Sequence, residues 1–216
     1  MIHQNVAEDA TTVRVRVHRH GRTAAGSATV TDEAAVRALV DRVLEAALVA
    51  PRDPGWPGLA PVAGAPASAP DWGTAGSTPA DRAAIVRAFV DGAGGLEVAG
   101  YCRTNHWSGS FANSAGQRLT GEAAECGVSG IARDRGADGV ARHAPARFAE
   151  LDGHALGGRA AAKARAWTEP IELPPGRYAV VLEPTAVVDI VETLAGAGFN
   201  GKAVNERRSF VRLGDA

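Results

Sequence analysis

The chain has 216 residues, of which 45% are apolar and 22% are charged, and its net charge is −1. These values predict one large or two small packed domains. They exclude a disordered chain and the basic surface typical of nucleic-acid-binding proteins. Residues 1–10 lack the apolar stretch of a secretory signal, and no apolar run is long enough to span a membrane. The two cysteines, Cys102 and Cys126, do not make a disulfide framework, so we predict a cytoplasmic protein.

The N-terminal residues predict a β-hairpin. Residues 11–18 alternate valines with polar side chains, which is typical of a half-buried antiparallel strand. Residues 20–22 predict a turn because they include Gly21. Residues 23–30 predict the returning strand, with Gly26 as a weak point or bulge.

A helix is predicted to follow, from Thr31 as the N-cap to about Ala50. Asp32 and Glu33 place negative charge in its first turn, which the helix dipole favours. Apolar side chains then recur at the spacing of one helical face, and this stripe consists of Val36, Leu39, Val40, Val43, Leu44, Ala47 and Leu48.

Residues 51–79 contain seven prolines and several glycines. This composition predicts a long loop or linker and excludes a helix or a central strand. Trp56 and Trp72 either pin this loop to the protein or mark a partner surface.

The next helix is predicted to begin after Thr78. Thr78 is the N-cap, Pro79 occupies the first helical position, and Asp81 lies three residues after the cap. Its predicted apolar face consists of Ile85, Val86, Phe89 and Val90. Glycines between residues 92 and 95 end the helix.

The middle of the chain predicts an antiparallel meander. Residues 96–102 form its first strand, and a turn follows at residues 113–116. Residues 117–122 and 125–132 form two further strands, and residues 134–145 form a polar loop.

The C-terminal part predicts a helix over residues 152–167, although the glycines at 157–158 weaken its start. Residues 178–182 predict a short buried strand, and Pro184 opens a helix that ends near Gly196. This mixed order of elements predicts an α+β fold with antiparallel or mixed sheets and packed helices.

We divide the sequence into a hairpin–helix unit at residues 1–50, a Pro/Gly-rich loop or linker at 51–79, and an α+β region at 80–216.

The sequence contains no glycine-rich phosphate-binding motif and no nucleophile elbow. His18 and His20 indicate an exposed, solvated pair, because no third metal ligand is visible beside them. Cys102, His106 and Cys126 could in principle form a Cys/His/Cys site, but buried thiols without a metal are more common. We therefore predict no metal site in this chain.

Nucleophilic catalysis by Cys102, paired with His106 or His143, is a further candidate. No oxyanion hole is apparent, and the apolar strand predicted around Cys102 opposes thiolate formation. We accordingly assign no catalytic and no cofactor-binding residue.

Residues 173–187 combine a Pro-Gly-x-Tyr turn, a short apolar run and a Pro-x-Ala helix start. This pattern resembles a hallmark of the TldD/PmbA family, subunits of a bacterial metalloprotease once described as modulators of DNA gyrase. Residues 198–204 and 209–210 resemble its continuation, and residues 113–116 resemble the family's Asn-Ser-x-Gly turn. The early strand, the first helix and residues 53–59 also fit the family's N-terminal domain. The resemblance covers most of the chain.

In the TldD-type subunit, the helix after the apolar strand carries HExxxH, whose two histidines bind zinc. The matching residues here are 191–196, in which only Glu192 agrees, and no histidine occurs from residue 155 to 216. A lone carboxylate does not hold zinc. The resemblance therefore implies a PmbA-like, or TldE-like, subunit without its own metal site, in which Glu192 is an ordinary surface residue.

The resemblance also implies peptide or protein processing within a two-subunit assembly. A TldD-like partner with HExxxH would supply the zinc. This chain would help to enclose the cleavage chamber and to hold unfolded peptide substrate, with neither nucleic acid nor membrane as a partner.

Family members continue beyond the position of Phe210 into a β-rich C-terminal domain, which we expect to be absent here. Two alternatives remain open. One is a non-enzymatic interaction module or degenerate paralogue, which would bind through Trp56 and Trp72. The other is a Cys/His hydrolase that uses Cys102.

Overall fold

The computed structural model describes residues 3–29, 32–64, 69–167, 171–212 and 214. These residues form two compact units. Unit 1 consists of the described residues of 1–83 and 104–125, and unit 2 of those of 84–103 and 126–216. In this described part of the chain, no helix is both long and apolar enough to cross a membrane.

Unit 1 begins with the predicted β-hairpin. Strands β1 (Val13–Arg19) and β2 (Arg22–Ala28) pair antiparallel over their full length. The two residues between them, His20 and Gly21, have positive φ angles of 52° and 72°. Two-residue turns with positive φ at both positions match the right-handed twist of the flanking strands, so the hairpin closes tightly.

The prediction of a bulge at Gly26 is wrong. The ladder runs unbroken through this position, with Gly26 opposite Val15. A Cβ at Gly26 would lie 2.8 Å from Val43 Cγ2. The missing side chain therefore lets helix α1 (Glu33–Val49) approach the hairpin closely.

Helix α1 confirms the predicted helix but starts from a different cap. The N-cap is Asp32, whose Oδ1 accepts a hydrogen bond of 2.8 Å from Ala35 N, and the expected cap Thr31 lies outside the described residues. The buried face is narrower than the predicted stripe and consists of Leu39, Val43 and Ala47.

The Pro/Gly-rich segment contains one short helix that its composition did not predict. Helix α2 (Trp72–Ala75) is a single turn capped by Asp71, whose Oδ2 accepts from Thr74 N at 2.7 Å. The expectation that no helix forms between residues 51 and 79 is therefore wrong at this turn. A local side-chain cap suffices to form one turn without a hydrophobic stripe.

Helix α3 (Pro79–Gly92) confirms its predicted start. Thr78 N donates to Asp81 Oδ2 at 2.8 Å, and Asp81 N donates to Thr78 Oγ1 at 3.2 Å, which is a reciprocal cap. These bonds from Thr78 hold the pKa of the Asp81 carboxyl below its usual range. Gly94 and Gly95 have positive φ angles and end the helix as predicted.

Three strands form the second sheet in the order β3 (Glu97–Ala112), β4 (Arg118–Asp134) and β5 (Ala137–His143). Strand β3 is longer than the predicted 96–102. The two strands expected at 117–122 and 125–132 form one continuous strand, and the loop expected at 134–145 contains β5. Arg135 and Gly136 both have positive φ angles, which makes the β4–β5 turn a tight hairpin.

The C-terminal part begins with a short 3-10 helix (Phe148–Glu150), followed by three α-helices. They are α4 (Gly153–Ala166), α5 (Pro184–Ala197) and α6 (Gly201–Asn205). The predictions for α4 and for the start of α5 are confirmed. Asp152 caps α4, with its Oδ1 accepting from Ala155 N at 2.9 Å.

The core of unit 2 is built largely from small residues, because glycines bring main chains together. A Cβ on Gly139 in β5 would lie 1.9 Å from Ala160 O, and a Cβ on Gly130 in β4 would lie 2.4 Å from the Phe89 ring. Helix α4 therefore packs directly on β5. Around Phe89, the buried cluster is Ala93, Cys126, Val128, Ala132, Ala141, Leu151, Leu156, Ala160 and Ala161.

The adjacent glycines of α4 provide a matched test of this packing. Gly157→Ala is expected to destabilise the protein by roughly 1–3 kcal/mol, because the new Cβ would lie 2.0 Å from Phe89 O. Gly158→Ala meets its nearest atom at 3.7 Å. It should stabilise the protein by up to about 1 kcal/mol through helix propensity. Urea denaturation of both variants checks the pair, and equal effects would contradict the packing.

Candidate interaction surface

The thiol and imidazole groups predicted as candidates lie in different surroundings. Cys102 and Cys126 pack in or against the core cluster of unit 2, and neither forms a disulfide. His106 belongs to unit 1, where its ring centroid lies 5.9 Å from that of Trp72 and its Nε2 lies 3.7 Å from Glu122. Among the residues that the structure describes, no group of three or more His, Cys, Asp or Glu side chains could hold a metal ion.

The two N-terminal histidines have different roles in the hairpin. His20 occupies the turn, whereas the His18 ring stacks on Trp56 with centroids 4.5 Å apart. The Arg16 guanidinium lies 5.3 Å from the same indole. Trp56 therefore pins its loop to the hairpin, which is one of the two predicted roles. Trp72 is 64% exposed.

An open pocket of about 250 Å³ lies beside the start of α4. Its lining includes the polar side chains of Arg142, His143, Glu150, Asp152 and Arg159. Glu150 is paired with Arg147 at 2.6 Å, and Asp152 caps α4. Both acids therefore have a role in local structure.

The prediction of a buried strand over residues 178–182 is wrong. This segment forms no strand, and its large side chains are exposed, from 48% at Leu182 to 100% at Val181. An apolar run becomes a strand only where another strand pairs with it. In the described ranges, no strand pairs with this segment. It therefore presents exposed apolar side chains that the described part of the chain does not cover.

Helix α5 continues this exposed apolar surface. None of its fourteen residues is buried. Its large apolar side chains are 42–52% exposed, and they are Val187, Val188, Ile190, Val191 and Leu194. At 100° per residue these positions occupy about half of the helix circumference, whereas Asp189 and Glu192 lie on the other half. We call these five side chains the α5 apolar face; such a face normally packs on a core.

Glu192, the one residue that agrees with the HExxxH motif, is exposed on the polar side of α5. The positions that would carry histidines are apolar or glycine, so this helix does not fit a zinc ion. Its geometry agrees with the prediction of an ordinary surface glutamate.

The start of α5 is anchored to α4 through Glu183. One carboxylate oxygen accepts from Arg159 Nη2 at 2.8 Å, and the other accepts from Lys163 Nζ. Arg159 and Lys163 are four residues apart on α4, so they share one face. The bonds from Lys163 and Arg159 hold the pKa of the Glu183 carboxyl below its usual range. The sequence analysis missed this cluster, although the four-residue spacing was a signal for it.

A second contact that the sequence analysis missed joins Gln117 to the main chain of Ala63. Ala63 N donates to Gln117 Oε1, and Gln117 Nε2 donates to Ala63 O, each at 2.7 Å. Gln117 is only 8% exposed. Its own N–H donates to Asn113 Oδ1 at 3.1 Å, which fixes it at the end of the β3–β4 turn. No local sequence signal indicates a contact between residues so far apart.

The Glu183 anchor predicts a pH dependence. Because its folded-state pKa is depressed, the anchor contributes at a pH above the pKa of the unfolded chain. It is lost as the pH falls through the folded-state value. Glu183→Gln should therefore speed hydrogen exchange of α5 amides at pH 7, and the difference from the wild type should vanish on acidification.

Glu192→Gln is the matched control, because it removes a carboxylate from the polar side of the same helix. An effect of Glu183→Gln that persists unchanged in acid would contradict the anchor.

Comparison with solved structures identifies proteins that share this fold. A proposed modulator of DNA gyrase from Bacteroides thetaiotaomicron VPI-5482 aligns over 91% of this chain with a TM-score of 0.77 and 16% identity. Another, from Thermotoga maritima MSB8, aligns over 91% with a TM-score of 0.72 and 15% identity. TldE from Thermococcus kodakarensis aligns over 72% with a TM-score of 0.61 and 14% identity.

The chain spans less than half of each of these proteins, at 48%, 46% and 38% of their respective lengths. No protein-family model and no curated protein matches the sequence. At identities this low, the likeness establishes the fold. The resemblance to the TldD/PmbA family is therefore confirmed at the level of an α+β fold shared with two proposed gyrase modulators and a TldE.

Proposed function

We propose that this chain is the subunit without a metal site in a cytoplasmic TldD/PmbA-type metalloprotease assembly that processes peptides or proteins. The α5 apolar face is the observation that carries the proposal. It follows the exposed residues 178–182 directly, and both lie where the sequence resembles the family most specifically. A surface of this kind on a folded chain is typical of a buried interface.

The division of labour follows from the residues of α5. This helix offers Glu192 without the two histidines, so a TldD-like partner would carry the zinc that activates the hydrolytic water. This chain would contribute its α5 apolar face to the assembly and help to enclose the chamber in which an unfolded peptide is held. Similarity in fold to TldE supports the assignment to the metal-free subunit type.

The Glu183 anchor supports the same role. It fixes the first turn of α5 to α4 through two charge-assisted bonds and leaves the apolar side chains outward. A preorganised face loses less conformational entropy when a partner binds than a mobile segment does.

Affinity purification of the full chain from its native lysate tests the assembly. We expect a stoichiometric partner that carries HExxxH. Val191→Arg should abolish its retention, because this 52% exposed side chain lies on the α5 apolar face.

Leu48→Arg is the matched control, since Leu48 is 60% exposed on α1 of unit 1, and it should retain the partner. Recovery of the chain alone would reject the subunit function and favour an interaction module or degenerate paralogue. Retention of the partner by Val191→Arg as well as by Leu48→Arg would reject the α5 apolar face as the interface.

Metal analysis tests the assignment to the metal-free subunit type separately. After incubation with zinc and exhaustive dialysis, the purified chain is expected to retain far less than one equivalent, because α5 supplies one carboxylate and no imidazole. Stoichiometric zinc measured by atomic emission would overturn the assignment, whatever the affinity purification shows.

A further inference from the structure

Residues 59–64 belong to unit 1 and form neither a helix nor a strand, and all six are exposed. Within the described part of the chain, the hydrogen bonds that fasten this segment join Ala63 to the buried side chain of Gln117. Val62 approaches the turn as well, since a Cβ on Gly116 would lie 3.9 Å from Val62 Cγ2. Among the described residues, the segment is thus held by hydrogen bonds at Ala63, and all six of its residues are exposed.

The chemistry of this attachment is independent of side-chain identity in the bound segment. The Gln117 amide uses its oxygen for the N–H of Ala63 and its nitrogen for the C=O of the same residue. This pattern reproduces the pairing of one residue in a β-ladder. It requires only a residue that has an N–H, and proline lacks one.

The receiving side is preformed. The Asn113 side chain accepts from both Ala115 N and Gln117 N, and Gly116 adopts the positive φ of 92° that the turn requires. The backbone of Gln117 is therefore held in place by its own turn, independently of residues 59–64.

We propose that Gln117 and the turn before it form a docking point for extended polypeptide backbone, and that residues 59–64 occupy it in this structure as an intramolecular latch. An incoming extended peptide takes the place of Ala63 and releases the latch. The proposal goes beyond the subunit function and does not depend on it, because docking point and latch both belong to unit 1 and are tested on this chain alone.

The test uses the full chain and the blocked peptide acetyl-Leu-Ala-Pro-Val-Ala-Gly-amide, which copies residues 59–64. Ala63→Pro removes the N–H that Gln117 holds and so opens the docking point. This variant should bind the peptide, with shifts of the Gln117 side-chain amide in NMR spectra. The wild type should bind it roughly tenfold more weakly, because its own latch competes.

Two controls isolate Gln117. The double variant Ala63→Pro/Gln117→Ala should not bind the peptide, and a peptide with proline in place of its second alanine should not bind the Ala63→Pro chain. Failure of the Ala63→Pro chain to bind, or equal binding by the double variant, would overturn the proposal.

Hydrogen exchange on the wild type gives an independent reading that needs no binding partner. The Ala63 amide should be protected in the wild type and should exchange faster in Gln117→Ala, which removes the acceptor of the Ala63 N–H as well as the donor to Ala63 O. Exchange of Ala63 in the wild type at the rate of a free peptide would overturn the latch.

Discussion

Close approach of main chain to main chain is the constraint on which unit 2 depends. Gly139 lets β5 lie against Ala160 of α4, and Gly157 lets α4 lie against the carbonyl of Phe89 in α3. In the part of the chain that the structure describes, Phe89 is the one aromatic residue in the buried core. Because few large side chains separate these elements, their spacing is set by backbone contact, which tolerates little change in volume.

That constraint reaches the candidate interaction surface through α4. Once α4 is fixed on β5, Arg159 and Lys163 have fixed positions, and Lys163 also donates to Val140 O at 2.7 Å. Glu183 then accepts from both cations and fixes the first turn of α5. The α5 apolar face is therefore positioned by a sequence of short-range contacts that begins at a glycine in the sheet.

Local patterns were sufficient for the hairpin and for four of the helices, because valine alternation, caps and 3.6-residue stripes act within a few residues. They failed where the outcome depends on distant partners. Residues 137–143 are poor in large apolar side chains and became a strand because β4 pairs with them, whereas the apolar residues 178–182 lack such a neighbour. The Gln117 contact has no local signature, and the division of the sequence at residues 50 and 79 remains a prediction.

A core of alanine and glycine also affects how stability varies with temperature. The heat-capacity change of unfolding grows with the apolar area that unfolding exposes, and alanine and glycine expose little. Unit 2 should therefore have a small heat-capacity change for its length and a flat stability curve. Covering the α5 apolar face in an assembly would increase the apolar area that is buried in the folded state. The free energy of unfolding of the assembled protein would therefore curve more sharply with temperature than that of the chain alone.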